Sequence, residues 1–178
     1  MTLTLQRAQG TDTEAAWEAY QRIITHLART IDYPHWHTEG HPTAEEVRAW
    51  CETGELYLAR DTGDVAGVMV LNHRAVEAYA QVSWSIDARM DEVLVIHALG
   101  VTPDHLGQGT ARFLVEAAID EARRRGCRAV RLDTYAENVP ARSLYERCGF
   151  TDLGCHQVRY EGTDLTDFHL FEYVLHTP

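Results

Sequence analysis

Long apolar runs are missing: nothing in the 178-residue sequence approaches the length needed to span a bilayer. The N-terminus also lacks a basic segment followed by an apolar stretch, so no secretory signal is visible. Together these absences predict a cytoplasmic protein that does not engage a membrane. Cysteine is sparse and unpatterned. Cys51, Cys127, Cys148 and Cys155 form no C-x-x-C, which predicts reduced, buried or half-buried thiols. Positive charge is in short supply, with 16 Lys and Arg against 27 Asp and Glu and a formal net charge of −11. That balance argues against nucleic acid and anionic lipid as partners and suits a cationic substrate. Repeats, low-complexity segments and linkers are absent as well. What remains is ordinary for a globular protein, 45% hydrophobic and 24% charged, at a length that predicts one domain over 1–178.

Hydrophobic periodicity gives a coarse order of elements. Residues 3–8 alternate weakly, as a first strand does. Thr11 and Glu14 have capping-box spacing, and Trp17, Tyr20, Ile24 and Leu27 recur at helical intervals, predicting a helix over 12–29. Residues 30–42 read as a loop rich in aromatics and histidine. Thr43 and Glu46 repeat the capping box before a short helix that Gly54 stops. Strands follow at 55–60 and 65–73 across a tight turn, and alternation over 80–86 predicts another. Residues 92–101 form a long apolar strand, suited to the middle of a sheet. A helix over 107–125 turns Arg112, Glu116, Asp120 and Arg124 outward and Phe113, Leu114, Ala117 and Ala118 inward, and Gly126 ends it. A strand at 127–134 leads to a short helix capped by Asn138 and ended by Gly149. Closing strands lie at 150–154 and 167–175.

The most pointed segment is Val101–Leu114, VTPDHLGQGTARFL. Glycines two apart let backbone approach a ligand, and a helix N-terminus attracts anions. A P-loop is excluded, because no lysine follows Gly109. Strand 92–101, the Gly107-Gln108-Gly109 turn, the helix and a strand carrying Asp133 have the order of a dinucleotide-binding unit. Arg112 at its third glycine position and the lengthened turn count against it. A glycine-softened helix start without a ligand is the plainer alternative, and the residues alone leave both open.

The same segment resembles the acyl-CoA-binding motif of the GNAT family of N-acetyltransferases: Val-x-Pro, then Arg/Gln-x-x-Gly-x-Gly/Ala opening a helix. Val101, Pro103, Gly109 and Ala111 match and Gly107 fits, while Leu106 stands where the family usually has Arg or Gln. A second motif, NVPARSLYERCGF, matches through Asn138, Ala141, Tyr145, Gly149 and Phe150. The resemblance is strong over 92–154 and rests on element order elsewhere. It implies an α/β (α+β) single-domain fold with a mixed, mostly antiparallel sheet flanked by helices, and acetyl-CoA as cofactor. The pyrophosphate would lie on the backbone N–H groups of Leu106, Gly107, Gln108, Gly109, Thr110 and Ala111 and on the helix dipole. Asn138, Ala141 and Tyr145 belong to the same implied cofactor set. The pantetheine would pair with the main chain of Leu99, Gly100 and Val101, whose N–H groups can also meet the oxyanion.

The implied reaction is direct attack by a primary amine on the thioester. Tyr145 would protonate the leaving thiolate; its alternative is a core tyrosine on an apolar helix face. An amine with a pKa of about 10.4 needs a base at neutral pH. His97, inside the apolar strand, is the candidate relay, against a plain core histidine. Glu92 and Asp87 are weaker candidates. Tyr33, Trp36 and His37 in the loop, with Trp84 and Tyr79, would form an aromatic wall for the acceptor; alternatively Trp36 pins the loop to the core. His35, His37 and His41 lack a completing ligand, so no metal is expected. The reading is thus an acetyl-CoA-dependent N-acetyltransferase of a small-molecule amine. A non-catalytic acyl-CoA-binding domain, a protein acetyltransferase and a nucleotide-dependent oxidoreductase are its rivals. The family resemblance also makes a homodimer possible, though no interface is readable.

Overall fold

Alternating apolar residues build strands β1 (Leu3–Arg7), β2 (Leu56–Asp61), β3 (Asp64–Asn72), β4 (Val93–Val101), β5 (Ala129–Tyr135), β6 (Thr151–Gln157) and β7 (Asp167–Val174). The helices are α1 (Thr13–Arg29), α2 (Trp36–Glu39), α3 (Ala44–Glu52), α4 (Thr110–Arg124) and α5 (Val139–Arg147). These elements come from a computed structural model that describes residues 2–176. Met1, Thr177 and Pro178, the ends of the expected 1–178 domain, lie outside the described residues. The strands form one sheet in the order β1-β2-β3-β4-β5-β7-β6. β1–β2, β2–β3, β5–β7 and β6–β7 pair antiparallel, whereas β4 and β5 pair parallel with Val93 opposite Ala129. This mixed, mostly antiparallel sheet flanked by helices agrees with the expected fold. It is not the doubly wound parallel sheet that a dinucleotide oxidoreductase requires.

Several local expectations are corrected. The box at Thr11 and Glu14 does not open α1. A 3-10 turn over Gly10–Asp12 does, with the Gln9 N–H donating to Asp12 Oδ2 at 2.9 Å. The loop at 30–42 contains the short α2, where Asp32 Oδ2 accepts the Thr38 N–H at 3.0 Å. Residues 80–86 are not a strand: Glu77–Gln81 is a 3-10 turn, and the Ser85 N–H goes to Glu172 Oε2 at 2.7 Å instead of to a neighbouring strand. Alternation there reflects burial of Tyr79 and Val82 without sheet pairing. All four cysteines are free, but Cys155 is exposed, contrary to expectation. The box at Thr43 forms as predicted, with Glu46 N–H to Thr43 Oγ1 at 3.2 Å and Thr43 N–H to Glu46 Oε2 at 2.7 Å.

By contact the chain divides into two compact units, one formed by residues up to Leu71 with His97–Ala117, the other by Asn72–Ile96 with residues from Ala118 onward. In the first, Ala16, Ala19, Tyr20 and Ile23 of α1 and Val47 and Cys51 of α3 bury against Leu56, Leu58, Val68 and Val70. Each fully buried large side chain contributes about 1.5–3 kcal/mol. Gly67 of β3 allows a close approach: a Cβ there would stand 2.9 Å from Leu114 Cδ1, 3.0 Å from the Gly100 carbonyl and 3.1 Å from Thr110 Cγ2. In the second unit Tyr79, Val93, Val95, Ala129, Val158, Phe168 and Leu170 share a core. A buried ion pair crosses it, with Arg131 Nη2 2.9 Å from Glu172 Oε1. Arg131 also donates to the Ile86 carbonyl at 2.9 Å and lies 4.1 Å above the Trp84 ring. Those extra partners offset the desolvation of both charges.

Candidate active site

In the first unit β4 is bent at Ala98, which has φ +46°. The Tyr20 hydroxyl accompanies the bend, donating to the Ala98 carbonyl at 2.8 Å. Beyond it Leu99 and Val101 are half-buried and Gly100 is buried. His97 is half-buried immediately before the bend. Thr102 fastens the next segment to β3: its N–H and its hydroxyl each lie 3.0 Å from the Ala66 carbonyl, and His105 Nδ1 is 2.9 Å from the same hydroxyl.

The glycine turn follows. Leu106 donates its N–H to the Pro103 carbonyl at 3.3 Å, closing a 3-10 turn. That removes Leu106 from the row of donors expected for a ligand. Among the described residues the N–H groups of Gly107, Gln108, Gly109, Thr110 and Ala111 donate to nothing, while the Phe113 N–H donates to the Gly109 carbonyl at 2.9 Å. Gly107 and Gly109 hold φ +71° and +86°, with no atom within 4 Å of where a Cβ would stand. Backbone donors in the left-handed region, opening onto solvent at the positive end of α4, make a nest for an anion. The residues present therefore fit a pyrophosphate.

Of the loop residues, His37 is exposed and Tyr33 half-buried. Trp36 turns inward. Its ring lies 5.8 Å from that of Tyr20 and comes within 3.0 Å of the Cβ position of Gly100, as a residue pinning the loop does.

The second unit carries the other sequence-flagged residues. Asn138 caps α5, its side chain accepting the Ala141 N–H at 3.4 Å. Tyr145 is buried among aromatic rings, 5.5 Å from Phe171 and 5.9 Å from Phe150. Its hydroxyl bonds to no described residue. Burial, then the charge of Asp133 and the neighbouring Cys148, push the phenol's pKa up. Trp84 donates Nε1–H to the Tyr79 carbonyl at 2.8 Å. Glu92 is occupied at a turn, accepting the Arg89 N–H at 2.9 Å, and Asp87 is exposed.

One group that the sequence flagged only as the acid of the dinucleotide alternative has partners the sequence did not show. Asp133 Oδ2 accepts the hydroxyl of Tyr79 at 2.7 Å and of Tyr160 at 2.5 Å. Burial raises its pKa, and the two phenols offset this in part. A carboxylate inside the apolar run AVRLDT was the available signal.

The acetyltransferase (GNAT) family model matches residues 15–150, so the chain belongs to that family. Mycothiol acetyltransferase of Beutenbergia cavernae is 34% identical over 123 residues, 66% of this chain and 37% of that protein. Streptothricin acetyltransferase of Streptomyces lavendulae is 35% identical over 101 residues, 57% of this chain and 46% of that protein. The chain spans less than half the length of these relatives. Among solved structures, a GNAT-family acetyltransferase of Streptococcus agalactiae superposes with a TM-score of 0.81 at 16% identity, covering 98% of this chain and 96% of that one. The yncA protein of Salmonella typhimurium, solved with its cofactor acetyl-CoA, gives 0.71 at 22% identity over 100% and 96%. No helix among the described residues is long and apolar enough to cross a membrane.

Proposed function

We propose that the chain works as one acetyl-CoA-dependent N-acetyltransferase domain whose acceptor is a primary amine of a small molecule. The observation that carries this reading is the open turn at the head of α4, where Gly107 to Ala111 offer backbone donors that nothing else uses. Such a row suits a pyrophosphate, and family membership points to acetyl-CoA as the molecule bearing it. In this reading the main chain of Leu99, Gly100 and Val101 takes the pantetheine, and N–H groups there meet the developing oxyanion. Asn138 and Ala141, at the start of α5, belong to the same proposed cofactor set. Tyr145, whose hydroxyl is unengaged and whose raised pKa keeps it protonated, gives a proton to the leaving thiolate. His97 relays a proton from the amine to solvent. Tyr33, Trp36, His37 and Trp84 supply aromatic and polar surface for the acceptor, with Trp36 acting chiefly as the brace of its loop. The names of the mycothiol and streptothricin relatives favour a small-molecule acceptor.

Calorimetric titration with acetyl-CoA, with NADH as control, tests the reading. Micromolar binding of acetyl-CoA alone is expected, followed by thiol release with an amine acceptor. Absence of binding overturns the proposal. Binding without thiol release from any amine or peptide leaves a non-catalytic acyl-CoA-binding domain in its place.

A further inference from the structure

The second unit holds a pocket of about 520 Å³, a size within the range of small-molecule sites. The segment between β3 and β4 builds most of it. Val76, Val82, Ile86 and Met90 supply apolar wall, with the rings of Tyr79 and Trp84 beside them. Arg131 joins the lining from β5, and its side chain is 4% exposed. The partners of its guanidinium are uneven. Nε lies 3.0 Å and Nη2 2.9 Å from the same oxygen, Oε1 of Glu172, so that edge of the fork is taken. Nη2 also donates to the Ile86 carbonyl at 2.9 Å. Nη1, on the opposite edge, donates to no described residue. It is not among the polar atoms sealed in without a partner, so its N–H groups open to the pocket. A pair of donors inside an apolar wall calls for an acceptor oxygen. The wall is also preformed: Trp84 stacks on Arg131 at 4.1 Å and donates Nε1–H to the Tyr79 carbonyl at 2.8 Å.

The charge of the occupant follows from the other groups. Arg131 is already neutralised by Glu172, which is fully buried against it. Glu77 and Asp87, exposed residues of the same lining, add two negative charges. An entering carboxylate would meet both of them and find no unspent positive charge. An ammonium would suit Glu77 and Asp87 but bring no acceptor to Nη1. A neutral carbonyl oxygen satisfies the donors without either conflict. We infer that this pocket binds a compact aromatic or branched aliphatic molecule through a neutral carbonyl oxygen. That oxygen accepts from Arg131 Nη1, and the apolar body lies against Trp84, Tyr79 and the aliphatic wall. Every residue involved belongs to one unit, and the assignment does not depend on acyl transfer. Trp84, counted above toward the acceptor surface, serves here as a wall of a separate binding site.

Three molecules on one skeleton separate the charges: 3-phenylpropanamide, 3-phenylpropanoate and 3-phenylpropylamine. Each is titrated calorimetrically, near neutral pH and without acetyl-CoA, into wild type, Ala88→Leu and Arg131→Lys. The amide is expected to bind wild type with a Kd of about 0.1–1 mM, and the acid and the amine at least about 5-fold more weakly. Ala88 is a half-buried residue of the lining. Leucine there takes up pocket volume and leaves Arg131 and Glu172 in place, so amide affinity should fall by about 10-fold or more. Lysine at 131 keeps a charge for Glu172 but loses the second edge of the fork, so the preference for the amide should vanish. The Trp84 indole N–H resonance, assigned through Trp84→Phe, should move on adding the amide to wild type and stay still in Ala88→Leu. Amide binding that is absent at about 10 mM, unchanged in Ala88→Leu, or no tighter than that of the acid or the amine overturns the assignment. If Arg131→Lys does not fold, the ranking in wild type and the Ala88→Leu titration decide it unaided. The acetyl-CoA titration that tests the proposed function is scored separately, so either reading can fail while the other stands.

Discussion

The hydroxyl of Tyr20, on a fully buried ring, reaches across from α1 to the carbonyl of Ala98 at 2.8 Å. Ala98 holds a backbone conformation that L side chains rarely adopt. Tyr20→Phe removes the donor and leaves that oxygen in an apolar core. A loss of about 1–2 kcal/mol is expected, read as a lower urea midpoint at unchanged slope. A midpoint equal to wild type would show that another group or water satisfies the carbonyl.

Leu106 is 47% exposed beside the glycine turn, where its apolar side chain gains nothing from an anion. Leu106→Arg puts a bidentate donor there at little cost to the fold. Acetyl-CoA should bind about 3- to 10-fold more tightly, with a steeper dependence on salt, because an exposed charge is screened. Equal affinity at low and high salt would remove the turn from the phosphate site.

Tyr145→Phe deletes one hydroxyl that bonds to no described residue, so packing against Phe150 and Phe171 should survive. Turnover is expected to fall by about 10- to 100-fold with acetyl-CoA affinity unchanged. The raised pKa also predicts that the wild-type rate shows no loss from phenol ionisation below about pH 10. Full turnover by the variant would take Tyr145 out of the chemistry.

Asp133 makes a separate prediction about stability. Its carboxyl is held above the usual range by burial, so it binds a proton more tightly in the folded chain than in the unfolded one. Its contribution is present below the unfolded value of about 3.9 and is lost as pH rises through the folded value. At neutral pH the ionised group is a net cost. Asp133→Asn should therefore raise Tm by about 2–4 °C near pH 7, with the gain shrinking toward pH 4. A lower Tm near neutrality would mean that the two phenols outweigh the desolvation.

Much of the frame was readable from local chemistry. α4 and α5 announce themselves through helical spacing, an Asn cap and a terminal glycine, and the Thr43–Glu46 box needs only three residues of context. The open geometry of the glycine turn was legible for the same reason, since Gly107 and Gly109 hold backbone conformations that glycine adopts freely. What escaped depends on partners distant in sequence. Nothing near Asp133 announces Tyr79 and Tyr160, which lie 54 and 27 residues away. The run at 80–86 looked like a strand because burial alternates there, but Glu172 intercepts the Ser85 N–H and forecloses pairing. Similarly, Gln9 and Asp12 open α1 because Arg60, from β2, holds Asp12 in place at 3.0 Å.

Gly67 bears no ligand and belongs to no motif, yet it sets a tolerance. The first turn of α4 leans on β3 through Thr110 and Leu114 across a gap already narrower than one methyl group requires. Any side chain at position 67 would act as a shim, lifting the head of α4 and the donors just ahead of it by a fraction of an ångström. Drift in sequence at position 67 is thus restricted by the seating of α4, and an assay for affinity at the turn proposed to hold the anion would register a residue outside that turn.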